Sequence, residues 1–140
     1  MCSSVSSSYQ ISVHLLIDIG CTQKNAEGQL GLDSTTPAHI GDDATDMSSV
    51  SFISFAPSLN SAGVAQIAGT RSLHICVLFF SGSVVCFGSN QGGAIGLASL
   101  TDHRGDEQGE MSTLPPIVFG PSITFAIVQV AAGTYFTCGT

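Results

Sequence analysis

The chain has 140 residues, 44% of them hydrophobic and only 9% charged, with 16 glycines. Disorder needs low hydrophobicity and high charge, so this composition excludes it. Abundant Gly, Ser and Thr beside few Lys, Glu and Arg suit strands and tight turns better than helices. The net charge is −7, with Lys24, Arg71 and Arg104 the only Lys and Arg residues. Three cations cannot build the basic face that a phosphate backbone requires, and they argue equally against an anionic membrane surface. The expectation is a globular all-β protein, with nucleic acid and membrane excluded as partners.

At the N-terminus a short apolar stretch, residues 13–19, is interrupted by Asp18 and lacks the basic flank of a signal peptide. No apolar run approaches the roughly 18 residues of a membrane span. Residues 1–18 match nothing else in the chain, but from residue 19 onward the sequence repeats itself. Gly28-Gln29-Leu30-Gly31-Leu32 returns 65 residues later as Gly93-Ala94-Ile95-Gly96-Leu97, with Cys21 and Asn25 returning as Cys86 and Asn90. After a one-residue deletion the shift is 64, pairing Gly41-Asp42-Asp43 with Gly105-Asp106-Glu107 and Asp46-Met47-Ser48 with Glu110-Met111-Ser112. Ile53, Phe55, Pro57 and Ser58 then match Ile117, Phe119, Pro121 and Ser122. Gly69-Thr70 matches Gly133-Thr134, and two further deletions bring Cys76 onto Cys138.

Each period reads as four short extended segments, near 50–55, 64–68, 73–80 and 83–87. Ser81-Gly82 joins the last two as a hairpin, because glycine supplies the positive φ of the turn. These two segments are rich in Val, Ile, Phe and Cys, as strands buried in a sheet should be. Pro115 and Pro116 precede Ile117, which makes that segment an edge or a strand start. Four strands per unit, repeated, is the pattern of a β-propeller blade.

At the level of motif the chain resembles the regulator of chromosome condensation repeat family, a β-propeller family. Its signature of a glycine, a His-x-Cys strand, a glycine turn and an aromatic-Gly-x-Asn segment is met by Gly69, His74-Ile75-Cys76, Gly82 and Phe87-Gly88-Ser89-Asn90. The Gly-Gln-Leu-Gly that follows in the family is intact at 28–31 and varied at 93–96, and Gly133 opens the last copy. Cys21-Thr22-Gln23-Lys24-Asn25 lacks the aromatic-Gly pair, so the first blade is degraded. The resemblance implies antiparallel four-stranded blades of an incomplete propeller, about two repeats long. The expected division is 1–18 unmatched, 19–91 the end of a degraded blade plus a first full repeat, and 92–140 a second repeat truncated at its C-terminus. Propellers need about four to eight blades, so further blades are expected from a longer chain or from self-association, with adhesive free edges until then.

Cys76 and Cys86 are equidistant from Ser81, which sets them opposite each other on neighbouring strands. They are either a cross-hairpin disulfide, implying an oxidising compartment, or two buried thiols. The cysteine count is odd, and no close Cys-x-x-Cys supports a zinc site. The recurring acids Asp42, Asp43, Asp46 and Asp106, Glu107, Glu110 lack EF-hand spacing and read as turn caps rather than a metal site. Arg104-Gly105-Asp106 spells an adhesion tripeptide, but its repeat equivalent Ile40-Gly41-Asp42 accounts for the Gly-Asp. His74 in an apolar strand reads as a core histidine. No nucleophile elbow, phosphate loop or cofactor motif is present. The expected function is therefore non-enzymatic protein binding. The resemblance implies two alternatives: part of a guanine-nucleotide exchange factor for a small GTPase, or a secreted recognition or inhibitor protein.

Overall fold

A computed structural model of the chain describes residues 23–41, 43, 45–46, 53–69, 73–120 and 126–140. The readings made for 1–18, Cys21, Asp42 and the strand start at 50–52 lie outside these residues. The described part is mostly extended and all-β, with every ladder antiparallel. Its centre is a three-stranded sheet of β3 (Val64–Ala68), β4 (His74–Phe79) and β5 (Val84–Gly88), in that spatial order. Two smaller ladders flank it: β1 (Gln23–Lys24) with β2 (His39–Ile40), and β6 (Val130–Ala132) with β7 (Thr137–Gly139). The described helices are one turn each, α1 (Pro57–Asn60) and α2 (Glu110–Thr113), besides a 3₁₀ turn at Gln91–Gly93.

The central sheet is covered on both faces, which is why β4 and β5 carry unbroken apolar runs instead of alternating ones. On one face Val77, Phe79, Val85 and Phe87 pack against Phe55, Leu59, Met111 and Leu114. Phe55 meets Phe79 edge-on with ring centroids 5.4 Å apart, the arrangement that aromatic quadrupoles favour. On the other face Cys76, Leu78, Val84 and Cys86 pack against Ile95 and Val130. The N-terminal loop, through Gly31 beside Phe87 and Met111, lies on the first face; β6 lies on the second.

The hairpin at Ser81-Gly82 forms as expected: Gly82 holds φ 81°, and Phe79 N–H donates to Ser83 O at 2.9 Å. The expected first strand differs. Residues 53–56 are irregular, and Phe55 satisfies both backbone groups on the Asn60 carboxamide, at 3.2 Å and 2.8 Å, rather than on a neighbouring strand. Pro57 then opens α1, where its missing N–H costs nothing. At the equivalent place in the next copy, Ile117 N–H donates to Val84 O at 2.8 Å along the outer edge of β5, while Pro115 and Pro116 have no N–H with which to lengthen a ladder. The described sheet thus has three strands, with isolated lateral contacts on β5 at Val84 and, through Arg104, at Gly88.

Candidate binding surface

The loops that leave the sheet are built twice on one plan. Asn25 is fully buried, donates Nδ2–H to Ser34 O at 2.7 Å and accepts Leu30 N–H on Oδ1 at 3.1 Å. Asn90, also fully buried, donates to Ser99 O at 2.9 Å and accepts from Ile95 N–H at 3.1 Å. All three positions recur at a shift of 65. The backbone agrees: Gly28 and Gly31 hold φ 70° and 62°, and Gly93 and Gly96 hold 77° and 70°. Even the non-glycine positions recur, Asp33 and Ala98 both standing at φ 54°. Within the first loop Gln29 is buried with its Oε1 accepting Glu27 N–H at 2.9 Å, and Leu30 packs on Ile40. Gly88 ends β5 at φ 100°, where a Cβ would meet Leu73 O, His74 Cα and Gln29 Cα.

The acidic segments follow the same rule. Asp46 Oδ2 accepts N–H from Gly41 at 2.9 Å and Asp43 at 3.2 Å. Glu110 Oε2 accepts N–H from Gly105 at 2.8 Å, Asp106 at 3.2 Å and Glu107 at 3.1 Å, while Oε1 takes Arg104 at 3.1 Å. These carboxylates cap a turn. Burial first, then the hydrogen bond and charge of Glu110, push the Asp106 carboxyl above its ordinary range. Among the described residues no group of three or more His, Cys, Asp or Glu is placed to hold a metal ion. Arg104-Gly105-Asp106 belongs to this turn: Arg104 is tied to Gly88 by backbone bonds in both directions, and Gly105 is buried.

The two copies dock through these parts. The first loop lies on the second acidic segment, with Gly28 so close to Gly105 and Asp106 that no Cβ fits. Asp33 accepts N–H from Gly109 at 3.0 Å and Met111 at 2.8 Å, Ser34 N–H donates to Gly105 O at 3.1 Å, and Glu27 pairs with His103 at 3.0 Å.

On the other face Cys76 and Cys86 are joined across β4 and β5, with Cα atoms 4.1 Å apart. Beside them Thr137 is a hub that sequence reasoning missed. Its Oγ1 donates to Ala94 O at 2.9 Å and lies 3.0 Å from His74 Nε2 and 3.3 Å from Cys76 Sγ. The single hydroxyl proton goes to Ala94, so His74 Nε2–H is the donor to Thr137. Burial holds His74 below its ordinary value, as befits a core imidazole. Gln66 was missed too: its carboxamide donates to Val130 O at 2.8 Å and accepts Val130 N–H at 2.9 Å, imitating a strand. Gln66 and Val130 are repeat equivalents at a shift of 64, so consecutive copies lie side by side. A polar residue inside a strand was the available signal. Gly69 and Gly133 stand at equivalent loop starts, against Ile75 and Phe136 respectively.

One end of the molecule gathers Leu73 and the loops 89–101 and 133–136, with Tyr135 beside Gly92 and Leu100 beside Gly93. Leu100, Tyr135 and Phe136 remain 69%, 58% and 59% exposed there. Large apolar groups exposed on neighbouring loops mark a candidate contact surface. No helix among the described residues is long and apolar enough to cross a membrane. No family model matches the chain, and no curated protein matches it.

Proposed function

We propose that this chain is a non-enzymatic protein-binding segment made of β-propeller-type repeats, similar to those of the regulator of chromosome condensation family. The observation that carries the binding reading is the apolar loop end of Leu73, Leu100, Tyr135 and Phe136. What supports the repeat reading is the recurrence of the Asn25 and Asn90 networks and of the Asp46 and Glu110 caps at the shifts found in the sequence. The partner is a protein, since three cations in the chain leave nothing to hold a phosphate backbone. A secreted recognition protein is the second reading, favoured by the Cys76–Cys86 bond, which persists in an oxidising compartment.

The test is proximity labelling with the intact chain and with a Leu100→Ser/Tyr135→Ser/Phe136→Ser variant of matched stability. Partners labelled by the intact chain and lost from the variant support the reading. An identical set from both removes the loop end as the binding surface.

A further inference from the structure

The inference rests on the surroundings of the Cys76–Cys86 bond and not on the loop-end reading. Cys76 is 0% and Cys86 1% exposed, so a dissolved thiol reaches neither sulfur while the fold is closed. Leu78, Val84, Ile95 and Val130, all buried themselves, pack around the pair on that face of the sheet. Thr137 on β7 completes the cover, its Oγ1 lying 3.3 Å from Cys76 Sγ and 4.0 Å from Cys86 Sγ. Unlike those four neighbours, Thr137 is only half-buried, and so is Gly139, while Cys138 between them is exposed. The bond is thus roofed on one side by a strand that keeps solvent on every residue.

The hairpin of β6 and β7 is fastened unequally. β6 packs against β3 and β4, and its Val130 is buried and takes both bonds of the Gln66 carboxamide. β7 is clasped at Thr137, whose hydroxyl donates to Ala94 O at 2.9 Å and accepts His74 Nε2–H at 3.0 Å. β6 is therefore built as a hinge and β7 as a flap. The joined sulfurs form the seat beneath the clasp. Once reduced they share no bond and must stand apart at van der Waals separation, and a close-packed face has no spare volume to absorb that. Core residues surround the pair on the other sides, so Thr137 is the neighbour that yields.

We propose that the Cys76–Cys86 bond is the seat of a redox-sensitive latch: with the bond intact Thr137 closes β7 onto the sheet, and reduction to two thiols lifts β7 away while β6 stays. The reductant is a dithiol. One of its thiolates attacks a sulfur of the pair, and the other cysteine leaves as a thiolate and takes a proton. The second thiol of the reductant then displaces the first cysteine. Two electrons and two protons have passed to Cys76 and Cys86, and the dithiol departs as its own disulfide. Residues 133–136 join β6 to β7 and carry Tyr135 and Phe136, so the apolar loop end keeps its shape only in the oxidised chain. The latch stands whether or not that end binds a partner. The coupling is reciprocal: whatever holds β7 closed also shields the sulfurs from the reductant.

The experiment uses the full chain with Cys2→Ser, Cys21→Ser and Cys138→Ser throughout, which leaves Cys76 and Cys86 as the only cysteines. Nuclear Overhauser contacts are recorded before and after reduction with dithiothreitol. Contacts between Thr137 and the His74 ring should be present in the oxidised chain and lost in the reduced one. Contacts between Val77 and Val85 and between Gln66 and Val130 should persist in both. The rate of reduction is then followed by alkylation and intact mass without denaturant. Thr137→Val should be reduced about tenfold faster, the effect of losing buried hydrogen bonds on an opening equilibrium. Thr137→Ser, which keeps the hydroxyl, should be reduced as slowly as its parent. Thr137–His74 contacts that survive reduction overturn the proposal, as does loss of the Val77–Val85 contacts together with them, which is unfolding and not a latch. A folded Thr137→Val reduced at the parent's rate overturns it too; if that variant does not fold, the contacts in the parent decide.

Discussion

The buried asparagines show how much structure one side chain can hold. Asn90 satisfies one carbonyl and one N–H of its own loop from a site with no exposure, so truncation leaves both without a partner. Asn90→Ala should lower unfolding free energy by about 2 kcal/mol, read from the urea midpoint. Glycine positions separate steric from conformational need. At Gly109, φ is 88° but the space is open, so Gly109→Ala should cost about 1 kcal/mol of left-handed strain. At Gly28 the backbone of Gly105 and Asp106 must also move, and Gly28→Ala should cost at least roughly twice as much by the same assay. His74 gives the pH dependence. Its folded value lies below the ordinary 6.5, so its contribution is complete above that pH and is lost as pH falls toward the folded value. The thermal midpoint should drop between pH 7.5 and 5, with a shallower drop in His74→Phe. Asp106 works in the opposite sense: its raised folded value favours the acid form, so rising pH removes that contribution.

Among elements, the β4–β5 hairpin is the best determined. Its turn, its register and the opposition of Cys76 to Cys86 were all legible, because a glycine turn between two apolar runs sets residues equidistant from it opposite each other. Replacing both cysteines by alanine opens a short covalent loop and should cost about 3 kcal/mol. Intact-mass measurement after alkylation without denaturant should find Cys76 and Cys86 protected and Cys138 modified. The segment leading into α1 was not legible as irregular. Apolar residues at 53 and 55 resemble a strand, but the Asn60 carboxamide takes both backbone groups of Phe55. A side chain five residues away decides that competition, and periodicity does not register it.

For the molecule as a whole, surface and assembly are separate matters. Leu100, Tyr135 and Phe136 take part in no buried cluster among the described residues, so changing all three to serine should move the thermal midpoint little while reducing binding of a hydrophobic dye. Gln66 is the opposite case. Its carboxamide ties β3 to β6 across 64 residues, so Gln66→Leu should loosen β6 and β7 selectively, seen as faster amide exchange at Val130.

The sequence by itself determined the β class, the period and the hairpin. Each of these depends on neighbours within about ten residues, or on a pattern that repeats. Only the tertiary structure decided that copies lie side by side, that Asp33 and Glu27 serve the copy after their own, and that Thr137 closes over the disulfide. Those contacts join residues 61 to 78 positions apart. No local preference encodes them, because they exist only once two finished units pack together.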